Sequence, residues 1–468
     1  MEYLSLLDLS DAIRRRAISP VEVTRAMLER IEHLDGSHRS YACVLADRAM
    51  DQAKAAESEI GRSIWRGPLH GVPIAVKDLC YSTFAPTTAG TRIHRDFVPD
   101  HNATVVDRLE AAGAIMLGKL KMTEGAYTTH HPDVDPPLNP WGAGHWAGSS
   151  SSGSGVAPAA GLCYGSLGSD TGGSIRFPSA ANALTGVKPT WGRVSRHGVF
   201  ALADSLDHVG PMARSAGDAA ALLGVVAGAD ANDPTSLRAE VPDYLAEIGK
   251  SIRGMTIGID RSYAFDGVDP EAAAALAAAE AVFRSLGARI REVRFPAYER
   301  LVSLWIPMCA VETAIAHRDT YPAKKEDYGP ELAGLIEEGR ALGGLDLCDI
   351  LHERLRFNGA LAAMFEDIDA FLIPTMPMRL PSLSDLASFG DDPTVLVRLL
   401  RFTAPFDFSG TPTITLPSGF DSAGLPLSMQ LAGPSLSEGQ LARMAHAFQT
   451  QTDWHARRPK SDPGVASA

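Results

Sequence analysis

Two stretches loaded with glycine and serine constrain this chain more than any other part of it. They are Gly148-Ser-Ser-Ser-Ser-Gly-Ser-Gly155 and Gly168-Ser-Asp-Thr-Gly-Gly-Ser-Ile-Arg-Phe-Pro178. Glycine weakens helix and strand interiors, and serine competes for backbone hydrogen bonds, so both stretches read as tight turns. A backbone of this kind can aim several N–H groups and hydroxyls at one point. Far upstream, Lys77 lies near the end of Gly71-Val-Pro-Ile-Ala-Val-Lys-Asp78. Two serines and a lysine in such settings suggest a hydrolytic site.

The rest of the chain supplies the frame for such a site. With 468 residues, 45% hydrophobic and 21% charged, it has the composition of a folded globular protein with a large core. Residues 5–60 carry apolar side chains at helical spacing (Val23, Met27, Ile31, Leu34) and read as two or more helices. The run Val72–Val76 reads as a buried strand. Residues 103–112 read as a helix that stops at Gly113 and leads into a strand over 114–117. The same rhythm returns at 255–259, then at Asp269 and Pro270 as cap and first turn of an alanine-rich helix, then at 289–293. Residues 305–365 read as mostly helical, and 371–373 and 413–416 as short strands. Helix, glycine stop and apolar strand in repetition indicate an α/β sheet, and no seam divides the chain.

Acyl transfer needs a nucleophile, a base and donors for an oxyanion. Asp170-Thr-Gly-Gly-Ser174 offers a hydroxyl beside converging N–H groups, an anion-binding nest; a plain glycine turn is the competing reading. No histidine sits in a diagnostic motif. Lys77 is the alternative base, because burial at a strand end favours the neutral amine. The opposing reading has it snorkelling to water or pairing with Asp78.

Taken together these residues resemble the amidase signature family of serine hydrolases. The likeness covers Gly67–Asp78, Gly148–Gly153, Asp170–Pro178, Gly186-Val-Lys-Pro-Thr190, Ile373-Pro-Thr-Met-Pro377 and Gly424-Leu-Pro-Leu-Ser-Met-Gln430. It implies an α/β fold of one large domain, with a mixed, mostly central β-sheet covered by helices on both faces. The domain would span 1–468, with a helical collar at 1–60, the signature core at 67–215 and an α/β remainder at 216–468 carrying pocket insertions. By the same resemblance Ser174 is the nucleophile, Ser150 the bridging serine and Lys77 the base. The oxyanion hole falls on the N–H groups of Thr171, Gly172, Gly173 and Ser174. Ser149, Ser151, Asp170 and Arg176 support the site, and the Ser149–Ser150 peptide is cis. Ser149 stands where the family usually has glycine, and only the spacing to Ser174 selects Ser150 among four serines.

The implied activity is hydrolysis of a small-molecule amide or related C–N carbonyl bond, with anilides, carbamates and ureas in reach and aryl esters as a side activity. The alternative is the catalytic subunit of a glutamine-dependent amidotransferase complex. The pocket is expected from residues 125–146 and 300–410, with Tyr127, His130, His131 and Trp146 as substrate contacts. No cofactor or metal is expected: the histidines lack metal-ligand spacing. Gly113-Ala-Ile-Met-Leu-Gly-Lys-Leu120 misses the phosphate-loop pattern, since Leu120 replaces its hydroxyl and the middle reads as a strand. A net charge of −13 argues against nucleic acid or an anionic membrane as partner. Five scattered cysteines and no signal peptide or spanning segment point to the cytoplasm. A monomer or homodimer is expected.

Overall fold

The strands that carry the site run in one 11-stranded mixed sheet. In chain order they are β1 Tyr41–Val44, β2 Pro73–Lys77, β3 Ile115–Leu120, β4 Gly165–Asp170, β5 Thr185–Lys188, β6 His208–Ala213, β7 Thr256–Ile259, β8 Arg289–Glu292, β9 Ala370–Pro374, β10 Thr413–Phe420 and β11 Pro426–Ala432. Their order across the sheet is β1-β3-β2-β4-β6-β5-β10-β11-β9-β7-β8. The computed structural model describes residues 2–389 and 393–459. Position 1, positions 460–468 and positions 390–392 of the expected pocket region lie outside the described residues.

β2 runs parallel to β3 on one side and to β4 on the other, placing Lys77 opposite Leu120 and Val76 opposite Leu167. β7 is likewise parallel to β8 and β9, whereas β4/β6, β6/β5, β5/β10, β10/β11 and β11/β9 are antiparallel. Every residue of β2, β3, β4, β5 and β6 is buried. Side chains alternate between the two faces of a strand, so a strand buried throughout is covered on both. This is the α/β single-domain sheet anticipated above. Asp269 caps the alanine-rich helix Pro270–Ser285 by accepting from the Glu271 N–H, with Pro270 in its first turn.

One expectation fails instructively. The serine stretch is not all turn: Ser152–Ala159 is a helix, and Gly168–Asp170 closes β4. The glycines serve close approach here. A Cβ on Gly153 would stand 2.4 Å from the Ser40 carbonyl oxygen, and one on Gly155 2.7 Å from the Asn182 side chain. The serines, instead of competing with their own helix, bond the neighbouring strand. Ser154 Oγ donates to the Leu167 carbonyl at 3.0 Å, and Ser166 Oγ to the Ser154 carbonyl at 2.7 Å. Burial of both elements makes these bonds obligatory.

Candidate active site

Four consecutive serines end up in four different environments. Ser149 lies on the rim of a cavity. Ser150 is buried and accepts a hydrogen bond from Lys77 Nζ at 2.7 Å. Ser151 is fixed to the β4 backbone: its Oγ donates to the Ser169 carbonyl at 3.1 Å and accepts from the Ser169 N–H at 3.2 Å. Ser152 Oγ meets His130 Nε2 at 3.0 Å. The Ser149–Ser150 peptide is cis. Gly148 before it has φ +83°, a conformation that favours glycine.

Lys77 ends β2 with no exposed surface. Its Nζ also donates to Ser169 Oγ at 2.8 Å, so it sits between two hydroxyls and bonds no carboxylate among the described residues. Burial pushes its pKa from 10.5 down to about 7, against the opposing pull of Asp207 and Asp170. The neighbouring Asp78 points elsewhere: it pairs with Lys119 at 3.1 Å and accepts from Thr88. The snorkelling and Asp78-pairing alternatives therefore do not describe Lys77.

The loop bearing Ser174 is shaped by Asp170 and Arg176. One Asp170 oxygen accepts from the Gly173 N–H at 2.6 Å, and the other accepts from the Ile175 and Arg176 N–H groups at 2.9 and 3.2 Å. The Arg176 guanidinium grips the same carboxylate at 2.8 and 3.0 Å, reaches Asp407 at 2.6 Å, and donates to the Thr403 carbonyl at 2.8 Å. Burial alone would raise the Asp170 pKa, but the Arg176 charge and these bonds hold it well below the usual carboxylate range. Asp170 is therefore an anion that organises the loop.

That organisation changes one of the expected donors. The Gly173 N–H is committed to Asp170 and is not free for an oxyanion. The N–H groups of Gly172 and Ser174 have no acceptor among the described residues. Gly173 has φ +135°, which turns the chain between these two. The carbonyls of the loop are held too. Trp305 Nε1 donates to the Thr171 carbonyl at 2.9 Å, Thr403 Oγ1 to the Gly172 carbonyl at 2.6 Å, and Thr171 Oγ1 to Asp207 at 2.5 Å.

Ser174 opens onto a cavity of about 430 Å³. Tyr127 and Trp146, the expected substrate contacts, line it with Phe177, Leu202, Trp305 and Leu400. Tyr127 and Trp305 are stacked at 6.4 Å, and Trp146 packs on Phe177 at 5.5 Å. His130 and His131, expected beside them, are not among the cavity's lining residues. His130 is held against Ser152, and burial pushes its pKa down to about 4, so it is neutral. His131 is buried, accepts from the Asp133 N–H at 3.1 Å, and borders a separate cavity of about 290 Å³ with Asp78 and Lys121.

Sequence reasoning missed Ser169, Asp207, Trp305 and Thr403. Ser169 lies inside the quoted motif, one residue before Asp170, but β4 is buried on both faces and no alternation singles it out. Trp305 and Thr403 lie 131 and 229 residues from Ser174 in unpatterned sequence, and nothing local marks them.

A family model described as Amidase matches residues 22–442. The chain is 48% identical over 456 residues to a Mycobacterium tuberculosis protein named "Putative amidase AmiD", covering 97% of this chain and 96% of that one. It is 36% identical over 481 residues to a glutamyl-tRNA(Gln) amidotransferase subunit from a Geobacter species, covering 97% and 98%. Its fold is similar to that of 6-aminohexanoate cyclic dimer hydrolase, with TM-score 0.89, 26% identity and coverage of 98% and 99%. It also resembles peptide amidase from Stenotrophomonas maltophilia, with TM-score 0.83, 28% identity and coverage of 98% of each chain. The chain belongs to the amidase family.

Proposed function

We propose that this enzyme hydrolyses small-molecule amides through an acyl-enzyme on Ser174, with Ser150 and Lys77 relaying the proton. The observation that carries the reading is the Lys77–Ser150 pair, a buried amine 2.7 Å from a buried hydroxyl and bonded to no carboxylate among the described residues. With a pKa of about 7, a large share of Lys77 is neutral at neutral pH. Its lone pair then takes the Ser150 proton as Ser150 takes that of Ser174. Ser174 Oγ attacks the carbonyl carbon, and the oxygen gains negative charge facing the free N–H groups of Gly172 and Ser174. As the C–N bond breaks, Ser150 returns a proton to the leaving amine and regains one from Lys77. Water, activated along the same relay, releases the acid. Ser169 holds Nζ in line, and Asp170 with Arg176 fixes the loop.

The division of labour along the chain fits this reading. Residues 67–215 hold Lys77, Ser150 and Ser174, whereas Trp305, Leu396, Leu399 and Leu400 of the pocket come from 216–468; residues 1–60 form a collar outside the relay. Anilides, carbamates, ureas and aryl esters share the tetrahedral intermediate and are candidate substrates. The cytoplasm suits five free cysteines, three of them buried. No helix among the described residues is long and apolar enough to cross a membrane. The cycle works in a monomer or a homodimer.

The amidotransferase relatives favour a second reading, in which glutamine is the amide. Free glutamine brings an α-carboxylate, and the cavity offers no lysine, arginine or histidine among its described lining residues to pair with it. The pocket thus favours apolar amides. The test is steady-state turnover of anilides, carbamates, aliphatic amides and glutamine by the wild type and by Ser174→Ala and Ser150→Ala. The proposal predicts that both variants lose about 10³-fold or more in kcat on the preferred amide while remaining folded. Retained activity in Ser174→Ala, or glutamine as the preferred substrate, contradicts it.

A further inference from the structure

The cavity beside Ser174 is apolar over most of its wall and electrically one-sided. Glu331 is the one charged side chain among the described residues that line it. It is exposed, sits in the first turn of the helix Pro330–Ala341, and forms no hydrogen bond or ion pair with any described residue. A carboxylate in the first turn of a helix interacts favourably with the positive end of the helix dipole. Glu338, two turns further along the same helix, adds to the field. Burial first, then the charges of Cys309, Glu338 and Glu331, push the Tyr127 phenol up, which places both carboxylates within electrostatic reach of the pocket wall. Tyr127 and Trp305 are near-parallel, with 16° between ring planes, and aromatic faces attract cations.

We propose that Glu331 and the Tyr127–Trp305 stack select amides with an apolar body and a positive charge, such as an ammonium group, remote from the scissile bond. This rests on the reading of Ser174 as the nucleophile whose cavity receives the substrate. A neutral amide gains only the apolar contacts. An anionic one enters a cavity with no cation among its described lining residues and meets Glu331, so it is the poorest of the three.

Two matched amide sets test this. Anilides of 5-aminopentanoic, pentanoic and glutaric acid carry the remote charge on the acyl side. Benzamides of 1,4-diaminobutane, butylamine and 4-aminobutanoic acid carry it on the amine side. In the set whose geometry fits, kcat/KM at low salt is expected to favour the ammonium over the neutral member by about 5-fold, and the carboxylate to be worst. The preference shrinks in about 0.5 M NaCl, where screening confines charges to a few ångströms. Glu331→Gln collapses the ratio within that variant, and Glu331→Lys reverses it. Equal rates for the three members in both sets, preference for the carboxylate, or an undiminished ratio in Glu331→Gln overturns the inference. Calorimetric binding of the same amides to Ser174→Ala reads the charge preference without turnover. An ammonium preference in binding with no Ser174-dependent hydrolysis of any amide would contradict the nucleophile and leave the charge selection standing.

Discussion

Lys77 is the residue at which the proposed function and stability oppose one another. A lysine whose folded pKa lies near 7 costs folding free energy, because the unfolded chain keeps it protonated up to its ordinary value of 10.5. Between these limits the unfolded state binds more protons than the native state. Lys77 therefore makes stability rise with pH across that window. Lys77→Met removes the protonation difference, so the rise in urea-unfolding free energy from about pH 7 to about pH 9.5 is expected to be smaller in the variant than in the wild type. An unchanged slope contradicts a depressed lysine pKa. The catalytic counterpart is a kcat/KM that increases through pH of about 7 as the amine loses its proton. A profile flat from about pH 5 to about pH 9 denies Lys77 its role as base.

At the scale of elements, the site depends on how closely a helix, a strand and two loops approach. A Cβ on Gly148 would stand 2.4 Å from Pro178 Cα, backbone that cannot yield, at a φ of +83°. Gly148→Ala is expected to cost on the order of 3 kcal/mol in unfolding free energy and to displace the serines that follow. Arg176→Met strands the buried carboxylates of Asp170 and Asp407, with an expected loss of about 3–5 kcal/mol, read by denaturant unfolding. Trp305→Phe keeps the ring but removes the donor to the Thr171 carbonyl. An acceptor left unpaired costs about 1–3 kcal/mol, so kcat/KM is expected to fall by roughly tenfold. These elements also show what the sequence conceals. The apolar strands β2, β3 and β7 announce themselves through valine, isoleucine and leucine. By contrast β4 (Gly-Ser-Leu-Gly-Ser-Asp) and β6, with Pro211, hide because glycine, serine, aspartate and proline leave no apolar run to read. The strand β1 interrupts a region read as wholly helical, since Tyr41–Val44 is too short to break the helical pattern around it.

Across the whole molecule, the loop bearing Ser174 is a junction. Its carbonyls accept from Trp305 and Thr403, its Thr171 hydroxyl donates to Asp207 and its Arg176 guanidinium to Asp407, so residues remote in sequence set the position of Ser174. The proposed relay was legible in local motifs because Lys77, Ser150 and Ser174 each sit in a short, compositionally unusual segment. The pocket was only half legible. Nearness to the serines pointed to Tyr127 and Trp146, which line the cavity, and equally to His130 and His131, which are not among its lining residues. Residues such as Trp305 and Leu400 join the wall only once the chain has folded. The central claim is that Ser174 is the nucleophile and that buried Lys77 activates it through Ser150. The most direct test is fluorophosphonate labelling, followed by intact mass and peptide mapping, with the labelling rate measured from about pH 5 to about pH 9. The account predicts a single adduct on Ser174, forming faster as pH rises through about 7 and much more slowly at every pH in Lys77→Met. An adduct on any other serine, or labelling of Lys77→Met at the wild-type rate, contradicts it.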